Sequence, residues 1–229
     1  MAEKRGRIRG GRDIISQGAR SMIGWRRRLS RRALIIIPLL ALSAAATVVV
    51  YFSGDLWITR FLQRSNNPYF HWLMVAVSWP GNSYHQWGVA LCAAALLLWF
   101  RLRIEAACLL ISLGSSWLLV NATKLIIARP RPAPDLVEVY LRHSTLSFPS
   151  GHVVTYTVFY GFLFYLVYTL MRSSVFRPML LAVFGALIGL VGLSRVYLGA
   201  HWASDALGGY GFGLAWLPLM IHLYLRLKS

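Results

Sequence analysis

Residues 194–205 read SRVYLGAHWASD and place an Arg, a His and an Asp at spacings suited to phosphate chemistry. Asp205 follows His201 by one helical turn, so on a helix its carboxylate would lie on the imidazole's face and fix the tautomer. Two further clusters share this chemistry. KLIIARPRP (124–132) offers Lys124 and Arg131 as phosphate ligands, and FPSGH (148–152) offers a Ser-Gly turn followed by a second histidine, His152. A transferable phosphoryl group carries negative charge on its non-bridging oxygens, and its transfer is accelerated mainly by positioning and electrostatic stabilisation. Lys124, Arg131 and Arg195 supply three cations for this, the two guanidiniums as forks able to bind oxygens bidentately and the lysine as a point charge. Ser150 and Gly151 add backbone donors, because a Ser-Gly turn opening a helix presents free N–H groups to an anion, and glycine lets that backbone come close. Two histidines permit a covalent double displacement. His201 is the expected nucleophile, with Asp205 on its other ring nitrogen, and His152 is the expected acid at the leaving oxygen.

All three clusters sit at the ends of apolar segments, so the elements that position them are membrane helices. The chain is 57% hydrophobic and 14% charged, and several apolar runs approach spanning length, which excludes a soluble globular domain. Six spans of about 20 residues fit, over 33–53, 84–100, 104–123, 152–171, 178–195 and 206–225. The fold expected is therefore all-α, an integral membrane six-helix bundle forming one domain over 33–229 behind a basic tail over 1–32. The stretch 55–82 mixes aromatics with Arg60, Arg64 and two Asn, and its longest apolar piece is too short to span. It is read as an interfacial or re-entrant segment with Trp57, Trp72 and Trp79 at headgroup level.

The formal net charge is +17, and 11 of the 24 Lys and Arg residues fall within the first 32 positions. That clustering marks a cytoplasmic anchor attracted to anionic headgroups rather than a nucleic-acid-binding surface. The run from Ala33 to Phe52 is longer than a signal-peptide core and lacks a clean cleavage site, so an uncleaved first helix is expected. With six spans and a cytoplasmic amino terminus, 17 of the 24 basic residues are cytoplasmic, as is the carboxyl terminus. The opposite face holds Arg60, Arg64, Lys124, Arg129, Arg131, Arg142 and Arg195, three of which are the cations of the clusters. All three clusters then share one extracytoplasmic face, as a single site requires. A seven-span count with 68–80 crossing would reverse everything downstream. On that face the acids are Asp55, Asp135, Glu138 and Asp205, few for a metal, and the arginines can neutralise the phosphoryl charge, so neither a metal nor a cofactor is expected.

The remaining polar residues read as structural. His71 and His85 lie beside the aromatic segment, His222 near a helix end and His143 in the loop between two clusters. Arg129 and Arg142 would widen a positive field drawing in anionic headgroups. Cys92 and Cys108 look like small buried hydrophobes. Gly185, Gly189 and Gly192 form a small-xxx-small stripe, and GGYGFG (208–213) could admit a close helix neighbour in the same way.

These residues match the three-part signature of the type 2 phosphatidic-acid phosphatase superfamily: K-x6-R-P, then P-S-G-H, then S-R-x5-H-x3-D. The chain gives Lys124…Arg131-Pro132, Pro149-Ser150-Gly151-His152 and Ser194-Arg195…His201…Asp205, with no departure at any signature position. The chain resembles most the compact bacterial members acting on phosphatidylglycerol phosphate or undecaprenyl pyrophosphate. The resemblance implies a metal-independent phosphatase working through a phosphohistidine on His201 supported by Asp205, with His152 protonating the leaving group. Lys124, Arg131, Arg195, Ser150 and Gly151 would hold the phosphoryl group. Substrates across the superfamily include phosphatidic acid, prenyl pyrophosphates, sphingoid-base phosphates and sugar phosphates.

The expectation is thus dephosphorylation of a membrane lipid phosphate in a bacterial-type inner membrane, the lipid reaching the site sideways between helices, with 55–82 lining the path. The bilayer and the phosphorylated lipid are the partners expected. A lipid phosphotransferase would use the same phosphohistidine. A non-catalytic binder would need the cations but neither acid nor nucleophile, and a transporter would show the internal repeats and broken helices that are missing here. A vanadate-dependent haloperoxidase shares the pocket, but soluble proteins carry that activity.

Overall fold

The computed structural model describes residues 53–141 and 144–229. The basic tail and nearly all of the first expected span lie outside these residues, as do Arg142 and His143. Among the described residues there are seven helices and no strand. They are α1 (Ser53–Gln63), α2 (Pro68–Ser78), α3 (Ser83–Trp99), α4 (Arg103–Ile127), α5 (Gly151–Leu170), α6 (Phe176–Tyr197) and α7 (Ala203–Lys228).

Four of them, α4 to α7, are long and apolar enough to cross a membrane. Helix α3 has 17 residues, a length of about 26 Å, a little short of a hydrocarbon core about 30 Å thick. The segment read as interfacial is itself helical. The Asn67 side chain accepts from the Tyr69 and Phe70 amides at 2.9 and 3.3 Å, and Pro68 occupies the first helical position. This cap starts α2 afresh after α1. Neither 11-residue helix is long enough to span. Helix α2 runs into a 3-10 turn, Trp79–Gly81, that leads to α3.

The four long helices alternate in direction, and this brings the clusters to one end. Helices α4 and α6 end there, carrying Lys124 and Arg195 in their last turns. Helices α5 and α7 begin there, with Ser150 as the N-cap of α5 and Asp205 in the first turn of α7. Cations at helix carboxyl ends and an anion at a helix amino end each agree with the helix dipole. Ala128 closes α4 in the left-handed region, and Pro130 and Pro132 send the chain into the loop that runs to Ser150. At the far end the Glu105 carboxylate at the start of α4 accepts from Tyr224 at 2.9 Å and pairs with Lys228, so the last turn of α7 is tied to the first turn of α4.

The core between these helices holds Leu109, Leu113, Val153, Tyr156, Phe162 and Val191, all buried. Close packing relies on the glycines of α7. A Cβ at Gly209 would meet Val153, and one at Gly213 would lie 2.5 Å from the Thr157 side chain. The glycine stripe on α6 works only in part. A Cβ at Gly192 would lie 2.7 Å from the Tyr210 ring, whereas one at Gly185 or Gly189 would meet nothing among the described residues. Cys108 is buried as expected, but Cys92 is exposed on α3.

Candidate active site

His201 lies just before α7 rather than within a helix. Its two ring nitrogens face different groups. Nε2 is 3.1 Å from Arg131 Nη1. A guanidinium has no acceptor, so Nε2 presents its lone pair to Arg131 and the ring proton belongs on Nδ1. Nδ1 in turn lies 3.5 Å from Ser147 Oγ and 3.6 Å from Asp205 Oδ2. The expected direct bond from Asp205 to His201 is thus too long to be a hydrogen bond. Ser147 stands between the two: its hydroxyl donates to the same Oδ2 at 2.5 Å, and its oxygen faces Nδ1. Oδ2 also accepts the Trp202 amide at 2.9 Å, which orients Asp205 as the third residue of α7.

Arg131 stands on the Nε2 side of the ring, with Lys124 and Arg195 near enough to its guanidinium to feel its charge. Arg131 is held by Thr145, with Nε donating to its carbonyl at 2.6 Å and Nη2 to its hydroxyl at 2.8 Å, and by the Ala200 carbonyl at 2.5 Å. Its paired edge is therefore turned to Thr145 rather than left open for a bidentate grip, and these bonds leave one Nη2 proton uncommitted. Burial lowers the Arg131 guanidinium to about 10, against the attraction of the Asp205 carboxylate; it stays charged at neutral pH. Lys124 Nζ reaches the same Thr145 hydroxyl at 3.4 Å. Arg195 is fully buried and donates to Ser78 Oγ at 2.5 Å, and its carbonyl accepts the Ala200 and His201 amides at 3.1 and 3.2 Å. The last turn of α6 thereby sets the backbone of the nucleophile candidate.

The Ser-Gly turn differs from expectation in one respect. The Ser150 amide is taken, donating to the Asp205 carbonyl at 3.1 Å and joining the starts of α5 and α7. Gly151 takes the first helical position, and the Ser150 hydroxyl is buried without a hydrogen-bond partner among the described residues. A buried hydroxyl in that condition is costly unless something else bonds it, which suits a group that meets substrate. His152 is half-buried, with Nε2 3.3 Å from Asn82 Oδ1.

Several functional neighbours were not foreseen. Ser147 and Thr145 lie in the HSTLSFPSGH string but carry no motif spacing. Ser78, Gly81 and Asn82 come from the segment expected to line the lipid's path, and they contact Arg195 and His152 directly. Arg129 is buried rather than a field-shaping surface charge; it pairs with Asp205 at 2.8 Å and with Asp55 at 2.7 Å. Two glycines are demanded by contacts. Gly199 has φ +65° and sits on the Glu138 backbone, where any side chain would be both strained and blocked. Gly81 lies beneath the His152 ring, and a Cβ there would collide with that ring and lie 2.7 Å from Tyr156. Gly81→Ala is accordingly expected to lower turnover on the order of 10^2-fold by displacing His152, and to lower the unfolding temperature as well, because the added methyl also meets the Tyr156 ring, which is buried and held by its bond to the Val77 carbonyl. Unchanged turnover would show that His152 has slack at this position.

Comparison with known proteins agrees with this geometry. The PAP2 superfamily model matches residues 105–229. Phosphatidylglycerophosphatase B of Bacillus subtilis (strain 168) is 30% identical over 176 residues, 76% of this chain and 85% of that protein. An undecaprenyl-diphosphatase of Sulfolobus acidocaldarius is 32% identical over 152 residues, 65% of this chain and 67% of that one. The crystal structure of a transmembrane PAP2 type phosphatidylglycerolphosphate phosphatase from Bacillus subtilis superposes with a TM-score of 0.73 at 26% identity, covering 84% of this chain and 96% of that one. With the signature residues gathered at one end of an all-helical membrane protein, the chain belongs to the PAP2 superfamily and is an integral membrane phosphatase.

Proposed function

We propose that the chain dephosphorylates a membrane lipid phosphate or pyrophosphate through a phosphohistidine on His201. The observation that carries this reading is the division of labour around His201: Nε2 faces the Arg131 cation while Nδ1 faces Ser147 and Asp205. The Nε2 lone pair attacks phosphorus, the bond from phosphorus to the lipid oxygen breaks, and His152 gives its proton to that oxygen. Water then attacks the phosphohistidine and returns a proton to His152, releasing inorganic phosphate and restoring the free ring. Asp205, through Ser147, supports the positive charge that the ring acquires. Lys124, Arg131, Arg195, the Ser150 hydroxyl and the Gly151 amide hold the phosphoryl oxygens. These cations do the neutralising that a metal would do, so the reaction is read as metal-independent.

A lipid substrate is supported by the site's position at the ends of four apolar helices and by the names of the relatives. The six-span arrangement, with a first span over 33–53, both termini cytoplasmic and the site on the extracytoplasmic side of a bacterial-type inner membrane, is part of the same proposal; the distribution of Lys and Arg supports it. The test is phosphate release by detergent-purified protein in EDTA, offered undecaprenyl pyrophosphate, phosphatidylglycerol phosphate, phosphatidic acid and a soluble sugar phosphate. The expected result is rapid release from one or more of the lipids and slow release from the sugar phosphate. Loss of all release in EDTA would overturn the metal-independent chemistry, and consumption of lipid without free phosphate would replace hydrolysis by transfer to a lipid acceptor.

A further inference from the structure

We infer that Asp55 and Arg129 are positioning residues for His201, acting through Asp205. The inference rests on the phosphohistidine reading above. Asp55 is 2% exposed, Arg129 4% and Asp205 0%, so three charges are buried together. Arg129 bridges the two carboxylates: Nη2 donates to Asp55 Oδ2 at 2.7 Å and Nη1 to Asp205 Oδ1 at 2.8 Å. Ser204 completes the ring. Its amide donates to Asp55 Oδ1 at 2.8 Å, its hydroxyl donates to Asp55 Oδ2 at 2.6 Å, and that hydroxyl oxygen accepts from Arg129 Nη1 at 2.7 Å.

Two consequences follow from this geometry. First, Asp55 on α1 satisfies a first-turn amide of α7 that has no partner within its own helix, and so fixes the turn that carries Asp205. Second, the fork of Arg129 is divided between two carboxylates, taking only Oδ1 of Asp205. Oδ2 is left to Ser147 and the Nδ1 side of His201. The network of two carboxylates and one guanidinium keeps one net negative charge beside the ring that must become positive during attack. If Asp55 lost its charge, Arg129 would be free to turn wholly to Asp205 and neutralise it, and the support reaching His201 would fall. The side chain of Asp55→Asn fills the same space but accepts at only one of the two positions, so its thermal unfolding is read beside its kcat: a mere structural tie would lower the unfolding temperature and leave the kcat of the folded protein unchanged.

The test compares Asp55→Asn, Asp205→Asn and the double variant with wild type on the lipid that wild type hydrolyses best. Asp55→Asn is expected to lower kcat between about 10- and 100-fold with KM within a factor of about two, because the phosphoryl-binding cations are untouched. In the double variant the loss should equal that of Asp205→Asn alone, since Asp55 acts only through Asp205. Arg129→Lys, which keeps the charge but cannot bridge both carboxylates, should lower kcat in the same manner while remaining monodisperse. Unchanged kcat in Asp55→Asn, or losses that multiply in the double variant, would overturn the positioning role and leave the hydrolase reading intact. Absence of phosphate release from wild type itself would overturn the hydrolase reading and the positioning role with it.

Discussion

His201→Ala is expected to lower phosphate release by at least about 10^4-fold, because removing the proposed nucleophile of a unit whose members act together forfeits nearly all that the unit contributes. Radiolabelled phosphate should be trapped covalently on wild type after an alkaline quench, as a phosphoramidate would be, and lost in acid; His201→Ala should trap none. The ring is 1% exposed, so alanine leaves a cavity and a less stable protein. His201→Gln fills most of that space, retains a donor toward Ser147 and should be equally inactive, which separates loss of the nucleophile from loss of the fold. Vanadate should still bind both variants, since Lys124, Arg131 and Arg195 are unchanged. Residual turnover within tenfold of wild type in either variant would remove His201 from the reaction and turn attention to direct attack by water.

What the chain reveals before folding is the set of groups that a phosphoryl transfer needs, because their types and short-range spacing are fixed by chemistry. Lys124 and Arg131 on one string, Ser150 to His152 on another and Arg195 to Asp205 on a third do converge at one end of the long helices. The alternation of those helices was legible too, since consecutive apolar runs of spanning length must cross in opposite directions whatever the length of the loop between them. The partners that hold the groups in place were not legible. Ser147, Thr145 and Asn82 are common loop residues whose roles arise from contacts 58, 14 and 70 positions apart in sequence, and no local pattern signals such a contact. Arg129 reads as a surface charge because a basic residue two positions from a candidate phosphate ligand resembles a second one. Its burial is explained by Asp55 approaching from α1 together with Asp205 and Ser204 on α7. The segment 55–82 was read by its aromatics as a membrane-surface element, which its exposed Trp57 and Trp72 still allow; its inward residues Asp55, Ser78 and Asn82 are the ones that meet the site.

Arg195 offers the second large effect, and it sets activity against stability. The side chain is wholly buried in the last turn of α6, bonded to Ser78, with Arg131 and Lys124 near enough to repel it. Taking a cation out of water beside two others is costly, and replacing a buried charge by an apolar group of similar volume is often neutral or stabilising by about 1–4 kcal/mol. Arg195→Met is therefore expected to unfold at the same or a higher temperature than wild type in ligand-free detergent, while losing about 10^3-fold in turnover, the usual scale for one charge-stabilising donor in a transition state. Arg195→Lys should recover part of that loss, since it restores the charge but not the guanidinium fork. The decisive comparison is thermal unfolding with and without vanadate. A ligand bound only by the folded state raises its stability in proportion to the logarithm of its saturation, so wild type should shift upward and Arg195→Met should shift little. If Arg195→Met instead unfolds well below wild type yet keeps its vanadate shift, the residue is a strut for α2 and α6 rather than a phosphoryl ligand. The cradle would then rest on Lys124, Arg131 and the start of α5.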